Sequence, residues 1–266
     1  MPQRCTATHI ELPHVKLWCQ TWGAGDPLVF VHGFPLSGEM WHATATALAD
    51  AWWCLVPDLR GHGRSAASPT VTIAQFADDL AALLDAFGER RPVVLVGLSM
   101  GGIILFEFYR RHRDRVRALV LCDTRPYAET DEGRARRETI AEAALRDGSA
   151  AAAALLAGGL FAPTAPAELV DHWRAVMAAT PPIGLAAAAR ALADRPDSVT
   201  TLPTIDCPTL LVFGEADALT PVEIGRQMQH AIAGSSLEVI PAAGHLPPVE
   251  QPAHFTRVLR EFLAKP

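Results

Sequence analysis

The feature that most constrains this chain is a recurring unit. Short apolar runs end at glycine or aspartate, and a segment of helical pattern follows each. The runs are PLVFVHG (27–33), WWCLVPD (52–58), PVVLVG (92–97) and VRALVLCD (116–123). Runs of this length, apolar without alternation, suit strands buried on both faces. Between them lie EMWHATATALAD (39–50), TIAQFADDLAALLDAFG (72–88) and MGGIILFEFYRRH (100–112). The second of these spaces Ile73, Phe76, Leu80, Leu83, Leu84 and Phe87 as one helix face and stops at Gly88. Alternation of this kind predicts an α/β protein with a mostly parallel, doubly wound sheet covered by helices on both sides. Two further strands, ATHIEL and VKLWCQTW, precede the first unit.

The rhythm breaks after Asp123. From Thr124 to Ala193 no strand candidate occurs; the segment is alanine-rich, helical in pattern and punctuated by Gly158-Gly159, Pro163, Pro166 and Pro181-Pro182. The sheet pattern resumes with PTLLVFGEAD (208–217), a helix near PVEIGRQMQHAIA, the strand SLEVIPAAGH and a last helix, PAHFTRVLREFLA. The chain therefore divides into a core at 1–123 and 194–266, with a helical cap inserted at 124–193.

Half of the 266 residues are hydrophobic, enough for a sizeable core, and the net charge of −6 gives no reason to expect a nucleic-acid partner. The densest basic patch, Arg134, Arg136 and Arg137, is interleaved with acids and reads as a solvated helix face. Five cysteines without a C-x-x-C spacing indicate neither a disulfide framework nor a zinc site, and Cys54, Cys122 and Cys207 read as small buried residues. The opening MPQRCTATHIELPH lacks an apolar core of signal-peptide length, and AAAALLAGGLFA (151–162) is too short to span a bilayer. The expectation is a cytoplasmic protein with no membrane partner; the sequence leaves its oligomeric state open.

GLSMGG (97–102) places Ser99 between a strand and a helix in the pattern G-x-S-x-G. Ser99 is either a helix cap or a nucleophile exposed on a sharp turn, with Gly97 and Gly101 there because side chains would clash as strand and helix close up. A hydroxyl nucleophile needs a base, and His245 follows the last strand, on the same C-terminal sheet edge as Ser99. The base needs an acid to fix its tautomer. Asp217 follows the preceding strand; Asp123, at the end of VLCD, is a rival on the same edge, and Glu215 a third candidate. An oxyanion needs backbone donors, which point to Met100, directly after Ser99, and to Phe34 in HGFP.

HGFP (32–35), DLRGHGRS (58–65), GLSMGG (97–102), GEADALTP (214–221) and AAGHLPPVEQP (242–252) occur in this order. The set resembles α/β-hydrolase fold enzymes with a helical cap, and within them the small bacterial esterases, lactonases and enol-lactonases. The resemblance covers essentially the whole chain. It implies an eight-stranded sheet, a triad of Ser99, Asp217 and His245, and an oxyanion hole from the N–H groups of Phe34 and Met100. DLRGHGRS then reads as structural, with Asp58 and Arg60 tying the turn. Haloalkane dehalogenases and epoxide hydrolases of this fold carry aspartate where this chain has Ser99. No cofactor or metal is implied.

The apolar residues Leu156, Phe161, Trp173 and Met177 of the cap, with Trp41 and Phe34 of the core, are candidates for a substrate pocket as well as for packing. As a set they point to a small or medium uncharged ester. Arg125 departs from that picture: it either pairs with Asp123 or another acid, or faces the pocket, where it would suit a carboxylate-bearing lactone. The same triad would also serve lactone, enol-lactone or C–C bond hydrolysis, or perhydrolysis. A non-catalytic ligand-binding or signalling role is the alternative of a different class.

Overall fold

The computed structural model describes residues 5–264. Eight strands form one sheet: β1 (Thr6–Glu11), β2 (Lys16–Trp22), β3 (Asp26–Val31), β4 (Trp52–Pro57), β5 (Val93–Leu98), β6 (Val116–Cys122), β7 (Thr209–Gly214) and β8 (Ser236–Ile240). Their spatial order is β1-β2-β4-β3-β5-β6-β7-β8. Only β2 runs against its neighbours; every pairing from β4 to β8 is parallel. The strands β3, β5 and β7 are inaccessible along nearly their whole length, which is why their sequences do not alternate.

Two apolar cores lie on the two faces. Helices α2 (Ile73–Ala86) and α3 (Met100–Arg111) cover one face. Thr72 starts α2 with a reciprocal capping box to Gln75, which satisfies two donors that the helix end would otherwise strand. The other face is covered by α1 (His42–Leu48) and α10 (Pro252–Leu263), with Trp41 between Phe30 and Phe255. The sheet helix α8 (Val222–Ala231) and the single-turn α9 (Pro247–Glu250) complete the C-terminal part.

Between β6 and β7 the chain forms α4 (Asp131–Asp147), α5 (Ser149–Leu156), α6 (Ala167–Ala178) and α7 (Pro182–Ala193), with no strand. This helical block is seated on the loops that follow β3 and β4. Gly61 of the DLRGHGRS loop meets Gly184 of α7 so closely that a Cβ on Gly184 would sit 2.1 Å from the Gly61 carbonyl oxygen. Thr180 donates to the Pro35 carbonyl at 3.0 Å. The same loop is braced by Asp58, whose carboxylate accepts from the Gly38 and Arg64 N–H groups, both at 2.8 Å. Arg60 does not tie the turn itself: its guanidinium reaches across to Asp79 of α2, at 2.6 and 2.9 Å. Cys54 and Cys122 are buried and Cys207 is half-buried. Among the described residues no single helix is long and apolar enough to cross a membrane.

Strand order reverses at β3, with β4 on one side and β5 on the other. Crevices at such a reversal, beyond the strand C-termini, are where ligands bind in open α/β sheets. Val31 pairs with Gly97, and Leu98 with Cys122. The residues that follow, in the 32–35 loop, at Ser99 and at Asp123, therefore emerge along one edge.

Candidate active site

Ser99 is the N-cap of α3 with φ 55° and ψ −112°, and its side chain makes no capping bond. A non-glycine residue held at such a φ carries roughly 1–3 kcal/mol of strain, offset by surrounding structure. That structure is visible. The Ser99 N–H donates to the Cys122 carbonyl at 2.9 Å, and its own carbonyl accepts from Ile103 N–H and Thr124 Oγ1. The glycines let β5 and α3 close: a Cβ on Gly101 would lie 2.2 Å from the Val31 carbonyl oxygen, and one on Gly97 would lie 2.7 Å from the Gly101 carbonyl carbon.

The turn aims Oγ at His245, whose Nε2 lies 2.8 Å away. On the other side of the ring, Nδ1 is 2.7 Å from Asp217 Oδ2. Asp217 and His245 are both buried. Burial acts to raise the Asp217 carboxyl, but the hydrogen bond and charge of His245, with donors from Thr220, outweigh it and hold Asp217 below the usual carboxylate range. Its Oδ1 accepts from the Leu219 and Thr220 N–H groups at 2.8 and 3.1 Å.

Asp123 stands in the same group, with its ligand atoms within 4.8 Å of those of Asp217 and His245. Its Oδ1 accepts from the Gly214 N–H at 2.8 Å, and its Oδ2 has no partner among the described residues. Complete burial, with the charge of Asp217 beside it, pushes the Asp123 carboxyl well above the usual carboxylate range. These three residues are the one His/Cys/Asp/Glu group among the described residues compact enough to hold a metal, but Nδ1 and Oδ2 are already joined by a hydrogen bond. Glu215 faces elsewhere, toward the Ala242 N–H.

The N–H groups of Phe34 and Met100 donate to no group among the described residues. Both flank Ser99: Met100 follows it in the chain, and the Cβ position of Gly33, next to Phe34, is 3.5 Å from Ser99 Cβ. The HGFP turn is held by His32, which is fully buried. Its Nδ1 donates to the Gly33 carbonyl at 2.9 Å while Nε2 accepts from the Leu59 N–H at 3.0 Å.

A cavity of 420 Å³ opens over Ser99 and His245. Phe34, Arg125 and Leu156 line it, as do Ile140, Leu160 and Leu219. The sequence had offered Trp41, Phe161, Trp173 and Met177 as pocket residues too; none of them lines this cavity. Trp41, Trp173 and Met177 are buried in the core under the sheet's other face, and Phe161 packs against that core. The reason is the seat of α6, whose apolar face joins the core that holds Leu36, Met40 and Trp41 after β3, with His172 and Glu39 2.8 Å apart at its rim. Its Trp173 and Met177, one helical turn apart, then point into apolar packing.

The basic patch is corrected at Arg137 alone: Arg136 is exposed and Arg134 pairs with Asp194 at the surface. Arg137 is not on a solvated face: burial pushes its guanidinium down to about 10, and it lies over the Phe34 ring, 5.5 Å from the centroid. Arg136 and Arg137 both line the cavity. Arg125 faces the cavity and pairs with Glu129 at 3.1 Å, not with Asp123. Sequence reasoning missed Thr220, whose hydroxyl donates to Asp217 Oδ2 and lies 3.2 Å from His245 Nδ1. It also missed Glu250, whose carboxylate accepts from the Gly244 and Leu246 N–H groups and so grips His245 from both sides. Both sit inside the quoted motifs, three and five residues after the acid and the base, and local loop-bracing was the available signal.

A strand-edge serine, a histidine bonded to it and a buried aspartate behind the histidine, on a parallel sheet with a helical insertion, define a class of architecture shared by many hydrolytic enzymes. The model of the alpha/beta hydrolase fold family matches residues 26–252, and the chain belongs to that family. It is 33% identical to a pimeloyl-[acyl-carrier protein] methyl ester esterase of Chromobacterium violaceum, over 94% of this chain and 98% of that one. It is 29% identical to 3-oxoadipate enol-lactonase 1 of Acinetobacter baylyi, over 89% and 88%. Among solved structures, a thermophilic esterase from Thermogutta terrifontis, described with malate bound, superposes with a TM-score of 0.94 at 39% identity, covering 97% of this chain and 98% of that one.

Proposed function

We propose that this protein is a serine hydrolase that cleaves small to medium carboxylic esters through an acyl-enzyme intermediate. The observation that carries the reading is the unbroken pair of hydrogen bonds from Ser99 Oγ to His245 Nε2 at 2.8 Å and from Nδ1 to Asp217 at 2.7 Å. Ser99 Oγ attacks the ester carbonyl as His245 Nε2 takes its proton, and Asp217 steadies the resulting imidazolium. The N–H groups of Phe34 and Met100 receive the oxyanion. His245 returns the proton to the leaving alcohol; the same base then activates a water that releases the acyl group. Relatives named as esterases support the ester as substrate. The helical block 124–193 serves as the cap that closes the site over the sheet edge.

Ser99→Ala tests the assignment: hydrolysis of short p-nitrophenyl esters should fall by at least about a thousandfold. Undiminished turnover would overturn it. A fluorophosphonate probe should label wild-type Ser99; failure to label would favour the non-catalytic alternative. Lactone hydrolysis on the same triad is a second reading, favoured by the likeness to the enol-lactonase. A panel of lactones set against open-chain esters separates the two by kcat/KM.

A further inference from the structure

The wall of the Ser99 cavity opposite the sheet is unusually cationic. Arg125, Arg137 and Arg195 converge on a single carboxylate, Glu129, with nitrogen–oxygen distances of 3.1, 3.5 and 2.6 Å. The Glu129 and Arg195 side chains are 5% and 1% exposed, while Arg137 and Arg125 keep 21% and 32% and so present their guanidinium groups to the cavity and its mouth. One carboxylate cannot satisfy three guanidinium groups, each with five donors. Arg195, from the segment after α7, is 2% exposed. Its Nε donates to the Tyr127 carbonyl and its Nη1 to Glu129 and the Leu192 carbonyl. Its Nη2 has no partner among the described residues. Arg137 has only the long contact to Glu129 and the face of Phe34.

Arg195 is the buried cation of the three, and its unpartnered Nη2 beside a carboxylate already shared with two other guanidinium groups costs stability unless something else completes it. All three arginines line the cavity that holds Ser99 and His245. The Arg137 guanidinium lies over the ring of Phe34, the residue whose N–H flanks Ser99, and both face the same cavity, so one substrate can reach Ser99 with its ester and Arg137 with a second group.

We propose that Arg137 and Arg195, with Arg125 at the mouth, form an anion subsite that takes the free carboxylate of the substrate. The substrate class is then the monoester of a short dicarboxylic acid, or a lactone bearing a second carboxylate, rather than an uncharged ester. Glu129 holds the guanidinium groups in place and the substrate carboxylate supplies the missing negative charge, with planar two-point hydrogen bonding to a guanidinium. This rests on the serine-hydrolase reading above and narrows its substrate.

Two measurements separate the subsite from the chemistry. The first compares mono-p-nitrophenyl glutarate with p-nitrophenyl valerate, which has the same carbon count and no carboxylate. The wild type should favour the glutarate ester by at least about tenfold in kcat/KM, chiefly through KM, and Arg137→Gln should lose that preference ratio while Arg137→Lys keeps part of it. The second is calorimetric binding of glutarate, which needs no turnover: it should bind the wild type and fail to bind Arg137→Gln. Hydrolysis of both esters without preference, with no glutarate binding, overturns the subsite and leaves the hydrolase standing. Glutarate binding without hydrolysis of either ester, and without fluorophosphonate labelling, keeps the subsite and overturns the hydrolase. Should Arg137→Gln fail to fold, Arg125→Gln, at the cavity mouth, replaces it in both measurements, with loss of the preference ratio again expected and an unchanged ratio counting against the subsite.

Discussion

Asp217 reaches His245 Nδ1 at 2.7 Å, whereas Asp123, within 4.8 Å of both, turns its carboxyl to the Gly214 N–H. The two aspartates close on one histidine thus differ in what they touch, and burial pushes Asp123 up while His245 holds Asp217 down. Asp217→Asn should lower kcat by about a thousandfold or more, because an amide presents Nδ1 with the wrong partner and releases the tautomer. Asp123→Asn keeps the side-chain shape and the oxygen that accepts from the Gly214 N–H, and should cost less than about tenfold, a change of roughly 1.4 kcal/mol in barrier. Steady-state kinetics of the two variants decides it; loss of activity in Asp123→Asn alone would exchange their roles.

Thr220 donates its hydroxyl to Asp217 and lies 3.2 Å from Nδ1. Thr220→Val removes a hydrogen bond to a charged group while leaving the two backbone donors to Oδ1. We expect kcat to fall about tenfold, with KM little changed, from a loss of roughly 1.5–3 kcal/mol partly absorbed by relaxation. A larger change in KM than in kcat would contradict a positioning role.

Gly101→Ala tests the turn rather than the chemistry. Its Cβ would lie 2.2 Å from backbone of β3, which cannot yield without moving the sheet. We expect destabilisation of at least about 3 kcal/mol, a fall in Tm of roughly 6–12 °C, or failure to fold. A wild-type Tm would show that the strand–helix contact is looser than described.

His32 and His62 are fully buried, and burial pushes them down to about 4 and about 3. In the unfolded chain both take up a proton as pH falls through about 6.5. The unfolded state then binds more protons than the fold, so the stability held above pH 6.5 is lost as pH falls toward 4. Asp123 acts in the opposite sense, since its raised carboxyl favours the fold at low pH. The clean readout is therefore a difference: between pH 6 and 5, the stability of His62→Gln should fall less steeply than that of wild type, by about 1 kcal/mol per pH unit. Parallel urea-unfolding curves at the two pH values would refute it.

The central strands, Ser99 and its glycines were legible because each answers to a local rule: unbroken apolar runs for β3 and β5, and a turn that tolerates no side chain at Gly97 or Gly101. The partners of Ser99 were legible from strand-end position, since parallel strands in register must deliver 32–35, 99, 217 and 245 to one edge. The cavity wall was not. Arg137 is surrounded in sequence by charges, as a solvated helix face would be, and it is half-buried against Glu129 and Phe34, which only the tertiary fold brings near. Trp173 and Met177 have the spacing of a pocket-facing stripe, but that spacing says which residues share a face and not which neighbour the face meets.

The His245 N–H donates to the Leu160 carbonyl at 2.9 Å, and the Ala162 N–H donates to Glu250, the same side chain that grips the histidine loop. The helical insertion thus supplies part of the scaffold of His245, the proposed base. Exchanging or deleting the insertion as a module would alter the base along with the substrate. A graft would have to bring an equivalent of the 160–162 backbone at its seam, and libraries meant to vary specificity alone should leave that stretch untouched and diversify α4.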